Sequence, residues 1–144
     1  MVDTLRQQPW TPPPPGLCED GAGRDKPGPI YDLAAVQTVV KSSGVYLATQ
    51  KCSTDVEKMD WDGDDVAQLI GALVPQDYRN SSWCCTSRGQ VIDADAYGIW
   101  YDPLDSCRGN ARQHKKYYVK FGFSPNDTRL IMFVISCHLS TSYH

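Results

Sequence analysis

The residues best suited to chemistry lie in the stretch Lys115–Phe123. A β-strand points successive side chains to opposite faces, so Lys116, Tyr118 and Lys120 would share one face of this stretch. The alternate positions are apolar or aromatic and predict the buried face: Tyr117, Val119, Phe121 and Phe123. Two cations and a phenol on one face suit the phosphate oxygens and stacked bases of single-stranded RNA. A solvated strand face is the alternative, and composition alone favours it.

The charge around this strand is opposite in sign to that of the whole chain. The 144 residues carry a formal net charge of −3, which gives no general attraction to nucleic acid or anionic membranes. After Pro103, however, basic side chains predominate: Arg108, Arg112, His114, Lys115, Lys116, Lys120 and Arg129. The sequence therefore predicts a local anion-binding surface.

Other chemical motifs have little support. The acidic run 60–65 lacks the glutamate that an EF-hand loop needs at its twelfth position, so its carboxylates are better explained as helix caps. Phosphate-binding glycine loops, zinc-protease motifs and serine-hydrolase motifs do not occur. Cys137 and His138 are adjacent, but neighbouring residues of a strand point to opposite faces and make a poor catalytic pair. We expect no metal and no cofactor.

The six cysteines allow three interpretations. Residues 1–15 lack the apolar run of a signal peptide, so export is not expected. No two cysteines have CxxC spacing, and the three histidines do not complete a zinc-binding pattern. We expect reduced, mostly structural cysteines in a cytoplasmic protein, with zinc or a disulfide as the alternatives. No apolar run is long enough to span a bilayer, so no membrane partner is expected.

The elements that must position the basic strand belong to one domain behind an arm. Residues 1–29 are rich in proline and glycine and predict a disordered arm, with a proline-rich ligand as the alternative. Residues 30–140 predict the domain, and 141–144 a tail. The first part of the domain predicts three helices at helical apolar spacing: Leu33–Ser43 after the cap Asp32, Ser53–Met59, and Asp64–Leu73 before Pro75.

The remainder of the domain predicts extended segments. In chain order they are Val45–Thr49, Tyr78–Cys85, Val91–Tyr101 with Gly98 as a candidate bulge, Lys115–Phe123 and Leu130–Cys137. The last is apolar on both faces and predicts an internal strand covered on both sides. Helices followed by strands predict an α+β fold, in which N-terminal helices pack on a mainly antiparallel sheet.

These motifs, in this order, resemble the motility quorum-sensing regulator (MqsR) family of bacterial toxin ribonucleases. The similar stretches are Tyr31–Leu33, Met59–Gly63, Ile70–Leu73, Asp77–Ser81, Asp95–Tyr97, Tyr118–Lys120 and Ile135–His138. The resemblance spans about Pro29–Leu139. It implies a RelE-like α+β fold and a metal-independent endoribonuclease toxin of a type II toxin–antitoxin system. Such a toxin cleaves mRNA and is held inactive by an antitoxin, here expected to be of helix-turn-helix type.

The resemblance also implies which residues form the site. The family's strand tyrosine and the neighbouring lysine match Tyr118 and Lys120, and its C-terminal functional lysine falls on His138. A further family lysine falls on Asn80, with Arg79 beside it. In a regular strand Arg79 would face the other side of the sheet.

These assignments predict a reaction at an RNA 2′-hydroxyl. Tyr118 or His138 would take its proton, and the other would protonate the leaving 5′-oxygen, producing a 2′,3′-cyclic phosphate. Lys120 and Arg79 would stabilise the added negative charge. The predicted substrate-binding residues are Asn80, Lys116, Arg108 and Arg112. A family glutamine falls on Ala94, so the alternative is a non-catalytic module of this fold that binds RNA or a protein.

Overall fold

The computed structural model describes residues 5–20, 24–124 and 131–140, with the backbone alone described at 19 and 20. In these ranges the helices are α1 (Leu17–Asp20), α2 (Leu33–Ser43), α3 (Gln50–Lys58) and α4 (Gly63–Gly71). The strands are β1 (Arg24–Lys26), β2 (Val45–Leu47), β3 (Tyr78–Cys85), β4 (Val91–Asp102), β5 (Cys107–Arg108), β6 (Lys115–Phe123) and β7 (Met132–Leu139). The fold class is α+β, as predicted.

The strands form one sheet in the order β1-β3-β4-β6-β7-β2, and β5 pairs with β4 beside this path. Its pairings are antiparallel except that β2 runs parallel to β7. Strand β7 lies between two neighbours and is buried at Met132–Ile135, which confirms the prediction of an internal strand. The predicted bulge at Gly98 is wrong, because β4 pairs regularly with β6 through that residue. The pairing between β3 and β4 is irregular between Tyr78 and Asn80, and that between β6 and β7 is irregular between Lys120 and Phe121.

Side-chain caps fix where the helices begin. Asp32 accepts a hydrogen bond from the Ala35 N–H at the start of α2, as predicted. Helix α3 begins at Gln50 rather than Ser53, because the Thr49 hydroxyl caps it by accepting from the Cys52 N–H. At α4 the residues Asp62 and Asp65 form a capping box, each carboxylate accepting from the other residue's N–H. The acidic run thus caps a helix, as its sequence predicts.

The main core lies between the helices and one face of the sheet, here called the helix-bearing face. Tyr117, Val119, Phe121 and Phe123 of β6 are buried there, as their alternation predicts. They pack with apolar residues of the helices, among them Val36, Val40, Val56, Val66, Leu69 and Ile70. Burying a side chain of this size contributes about 1.5–3 kcal/mol, so this face fixes the orientation of β6. The alternate residues of β6 must then point to the opposite face.

The described parts of the N-terminal arm are ordered, which corrects the prediction of disorder for them. Leu5 and Leu17 are only 5% and 4% exposed, and β1 pairs with the edge of β3. Arg6 and Lys26 both form ion pairs with the buried carboxylate of Asp93, at 2.7 and 3.1 Å. Composition did not reveal these anchors, because their partners lie more than 60 residues further along the chain.

A disulfide joins Cys18 of the arm to Cys85 at the end of β3, which corrects the expectation of reduced cysteines at these two positions. The remaining four cysteines are free. Cys52, Cys84 and Cys137 are buried, and Cys107 is exposed. Burial, followed by the nearby Asp55 carboxylate, raises the pKa of the Cys52 thiol to about 12. This thiol therefore stays protonated and packs as a small apolar group. No helix in the described ranges is long and apolar enough to cross a membrane.

Candidate active site on the open face of the sheet

Most predicted site residues lie on the face of the sheet opposite the main core. We call this the open face, and define it by Arg79, Asn80, Gly98, Trp100, Lys116, Tyr118, Lys120, Ser136 and His138. Strand register brings these residues together. Gly98 and His138 flank Tyr118 on the two neighbouring strands, and Ser136 lies opposite Lys120. Three of the four residues predicted from the resemblance to be catalytic, Tyr118, Lys120 and His138, are thus neighbours on two adjacent strands.

Tyr118 and His138 form a ring pair at the centre of the open face. Their ring centroids are 5.2 Å apart and their planes differ by 24°. The Nδ1 atom of His138 lies 2.8 Å from the Leu139 carbonyl oxygen, which can only accept a hydrogen bond. In a neutral His138, Nδ1 therefore carries the proton and Nε2 keeps a free lone pair. The pair places a proton acceptor next to a phenolic proton donor, and these are the two groups that general acid–base catalysis uses.

The irregular pairing of β3 places Arg79 over Gly98. A Cβ atom built on Gly98 would lie 3.1 Å from both Cδ and Nη1 of Arg79, and 3.2 Å from Cε of Lys116. A regular strand would turn Arg79 to the helix-bearing face, but an irregularity of this kind changes the direction of a side chain. Asn80 pairs with Ala96 and also belongs to the open face. Arg79 and Asn80 therefore both lie on the open face, whereas regular alternation would place only one of them there.

The cations of the open face have no carboxylate partner in the part of the chain that the structure describes. None of the ion pairs found there includes Arg79, Lys116 or Lys120. The Lys116 ammonium lies instead over the Trp100 ring, 5.9 Å from its centroid. Neighbouring cations without counter-charges attract anions, and arginine and lysine are the residues that bind phosphate oxygens. The arrangement is suited to a phosphodiester next to Tyr118.

Two other predicted cations are placed differently. The Arg108 guanidinium binds the Asp77 carboxylate at 2.6 Å and the Ala72 carbonyl oxygen at 3.3 Å, beside the end of α4. It is therefore engaged on the helix-bearing side and does not join the open face. Arg112 lies in a turn before β6, and no contact within the described residues brings its guanidinium to the site. Arg129 lies outside the described residues.

A small apolar cluster closes the far end of the same side of the sheet. Ala94 is fully buried in this cluster. Its other buried members are Ala48, Cys84, Ile92, Phe133 and Ile135. Ala94 is therefore part of a second, smaller core.

Gly98 and Trp100 are site residues that the sequence prediction missed. Alternation gave no signal for them, because their phase of β4 carries Ala94 and Ala96 while the buried phase carries Asp93 and Asp95. Trp100 is half-buried on the open face, where it lies opposite Lys116.

Two buried carboxylates on the helix-bearing face were also missed. Burial would raise the pKa of Asp93, but hydrogen bonding and charge from Arg6, with help from Tyr31 and Lys26, outweigh burial and hold that pKa low. Asp95 accepts hydrogen bonds from the Ser81 hydroxyl and from backbone N–H groups, yet burial still raises its pKa. Both acids are fully buried: Asp93 binds Arg6 and Lys26 of the arm, and Asp95 binds the backbone at Ile30 and Tyr31, where the domain begins.

In the described ranges, no cluster of three or more histidine, cysteine or acidic side chains could hold a metal ion. No protein-family model, no curated protein and no solved structure matches this chain. The geometry of the open face and the sequence motifs are therefore the features that indicate a function.

Proposed function

We propose that the open face is the active site of a metal-independent endoribonuclease toxin that cleaves mRNA. The observation that carries the proposal is the Tyr118–His138 ring pair beside Arg79 and Lys116, two cations that converge over Gly98. An acid–base pair next to unpaired cations is what transfer of a phosphoryl group to an RNA 2′-hydroxyl requires. The resemblance of Tyr118, Lys120 and their neighbours to MqsR motifs supports the same chemistry.

The proposed reaction assigns one role to each group. The free Nε2 of His138 accepts the proton of a 2′-hydroxyl, and the 2′-oxygen attacks the adjacent phosphorus. The bond from phosphorus to the 5′-oxygen breaks, and the Tyr118 hydroxyl donates its proton to that oxygen. The products are a 2′,3′-cyclic phosphate and a free 5′-hydroxyl. Arg79, Lys116 and Lys120 stabilise the negative charge that grows on the non-bridging oxygens.

The test compares the wild-type protein with Tyr118→Phe, His138→Ala and Lys120→Ala on a mixed-sequence single-stranded RNA in EDTA. Loss of a general acid or base lowers the cleavage rate by about 100- to 10,000-fold, and loss of a charge-stabilising group has an effect of comparable size. Arg108→Gln is the matched control, because Arg108 is tied to Asp77 away from the site. A cyclic phosphate at the new 3′ end is the expected product. Undiminished cleavage in all three site variants would refute the assignment.

The proposal includes a partner and a location. A toxin that cleaves mRNA acts in the cytoplasm and requires an antitoxin, which the family resemblance indicates is a helix-turn-helix protein. Expression of the toxin alone should arrest growth, and expression together with the product of a neighbouring gene should restore it. That product should also block cleavage by the purified protein. A neighbouring product that does neither would contradict this part of the proposal.

A second candidate function is an RNA-binding module that does not cleave. The observations that favour it are Ala94, which is buried where the family has a glutamine, and Asn80, which stands where the family has a lysine. The cations and rings of the open face would still hold a single strand. Wild-type protein that binds RNA and leaves it intact under every condition tested would favour this second function.

A further inference from the structure

Trp100 extends the open face beyond the groups that the proposed reaction uses. It lies two residues along β4 from Gly98, on the same face, and its ring is half-buried. Its ring contact in the described residues is with the Lys116 ammonium, across the β4–β6 pair. Trp61, by contrast, stacks on Tyr117 within the core, with centroids 5.0 Å apart. Packing of the core therefore does not account for the position of Trp100.

We propose that Trp100 is a stacking platform for a nucleobase next to the scissile phosphate, and that the ligand is single-stranded RNA. This inference rests on the proposed function of the open face and deepens it by naming the residue that holds a base of the substrate. An aromatic ring beside cations that follow a backbone is the usual surface for single strands, because every base has a π-face. A double helix keeps its bases stacked within itself and offers none to Trp100.

Lys116 can move away from the Trp100 ring when a base binds there. Its ammonium covers the Trp100 ring at 5.9 Å, while its Cε lies beside the space over Gly98. A cation over a ring that solvent still reaches is held only weakly, and a stacked base interacts with the same ring more strongly. An arriving base therefore displaces the ammonium. Rotation about the flexible lysine side chain then carries the charge toward Arg79 and the phosphate of the same nucleotide.

The test uses a single-stranded RNA oligonucleotide that carries 2′-O-methyl groups throughout, so that it binds without being cleaved. Its Kd is measured by fluorescence anisotropy, and tryptophan emission is followed in the same titration. Trp100→Ala should raise the Kd by about tenfold, and Trp100→Phe by less, because phenylalanine keeps a ring. Binding should quench the emission of the wild type, and Trp100→Phe should lose most of that quenching. Trp83→Phe is the matched control, since the Trp83 indole donates to the Thr11 carbonyl oxygen at the arm.

The outcomes separate the platform from the proposed function. If Trp100→Ala binds as tightly as wild type, and wild type still cleaves RNA, the platform is refuted and the proposed function stands. Equal affinity for a duplex of the same sequence would also refute the platform. If the wild type neither binds nor cleaves single-stranded RNA, both proposals fail. Urea denaturation of each variant shows whether a loss of affinity has arisen from unfolding.

Discussion

Gly98 leaves a space above β4 that the side chains of Arg79 and Lys116 share. We predict that Gly98→Ala weakens RNA binding and cleavage by about 3- to 10-fold, since each cation displaced from a phosphate weakens its hold. The added methyl group would meet the ends of two flexible side chains at 3.1–3.2 Å, so the cations move and the strand does not. Stability should be unchanged or higher by about 0.5–1 kcal/mol, because glycine is unfavourable within a strand. Binding assays and urea denaturation measure the two effects.

The control for Gly98→Ala is Gly71→Ala. Gly71 is the last residue of α4, and a methyl group there would meet no atom within 4 Å. Gly71→Ala should leave RNA binding unchanged. If Gly98→Ala binds and cleaves RNA like the wild type, the cations over Gly98 do not contribute to the site.

Arg79 and Arg108 provide a comparison between two residues of the same type. Arg79 lies over Gly98 without a carboxylate partner in the described ranges, whereas Arg108 binds Asp77. Arg79→Gln should raise the Kd for single-stranded RNA by about 10-fold and lessen the dependence of log K on log salt by about 0.7. Arg108→Gln should change neither quantity. Equal effects of the two variants in a salt titration would show that charge anywhere on the protein suffices, and that the open face has no special role.

Among the elements, strand β6 is the one whose orientation the sequence predicted most completely. Its alternation identified the buried residues, and the opposite phase identified Lys116, Tyr118 and Lys120. The orientation of Arg79 could not be predicted in this way. The orientation of Arg79 depends on an irregular pairing between β3 and β4. The residue pattern of β3 alone does not determine how the strand pairs with its neighbour. The ordered arm was missed for a related reason, because its anchors are contacts between residues far apart in the chain.

The arm is held to β4 by a buried carboxylate, so its attachment should depend on pH. Asp93→Asn should lower the free energy of unfolding by about 3–5 kcal/mol at pH 7, because the buried ion pairs that Arg6 and Lys26 form with this carboxylate would be lost. The folded-state pKa of Asp93 lies below its unfolded value. Its stabilisation is therefore full above the unfolded pKa of about 3.9, and is lost as pH falls through the folded pKa. The difference between wild type and variant should narrow below about pH 4.

Asp95 gives the opposite sign in the same experiment. Burial raises the folded-state pKa of Asp95, so as pH falls the folded protein binds a proton at this carboxylate before the unfolded protein does. The contribution of Asp95 to stability should grow as pH falls through that raised pKa, and Asp95→Asn should lack this gain. Urea denaturation of both variants at several pH values separates the two acids. A difference between wild type and Asp93→Asn that stays constant from pH 7 to pH 3 would contradict the assignment of Asp93 as the charged anchor.

For the molecule as a whole, the Cys18–Cys85 disulfide ties the arm to the end of β3 across 67 residues of chain. Closing a loop of this length restricts the unfolded chain, and disulfides typically contribute about 2–4 kcal/mol. We therefore predict that Cys18→Ser lowers the free energy of unfolding of the oxidised protein by this amount. Cleavage by the folded variant should persist, because Cys85 and Arg79 lie at opposite ends of β3, about 20 Å apart at the rise of a strand.

Treatment with a reductant and a count of reactive thiols test whether the disulfide forms. Dithiothreitol should destabilise the wild type as much as Cys18→Ser does, and should have no further effect on the variant. Cys107→Ser is the matched control, because Cys107 is exposed and free and its loss should leave stability unchanged. Unfolding without reductant should expose four reactive thiols among the six cysteines. Six reactive thiols would show that the arm is held without a disulfide. In that case Cys18→Ser and Cys107→Ser would unfold at the same urea concentration as the wild type.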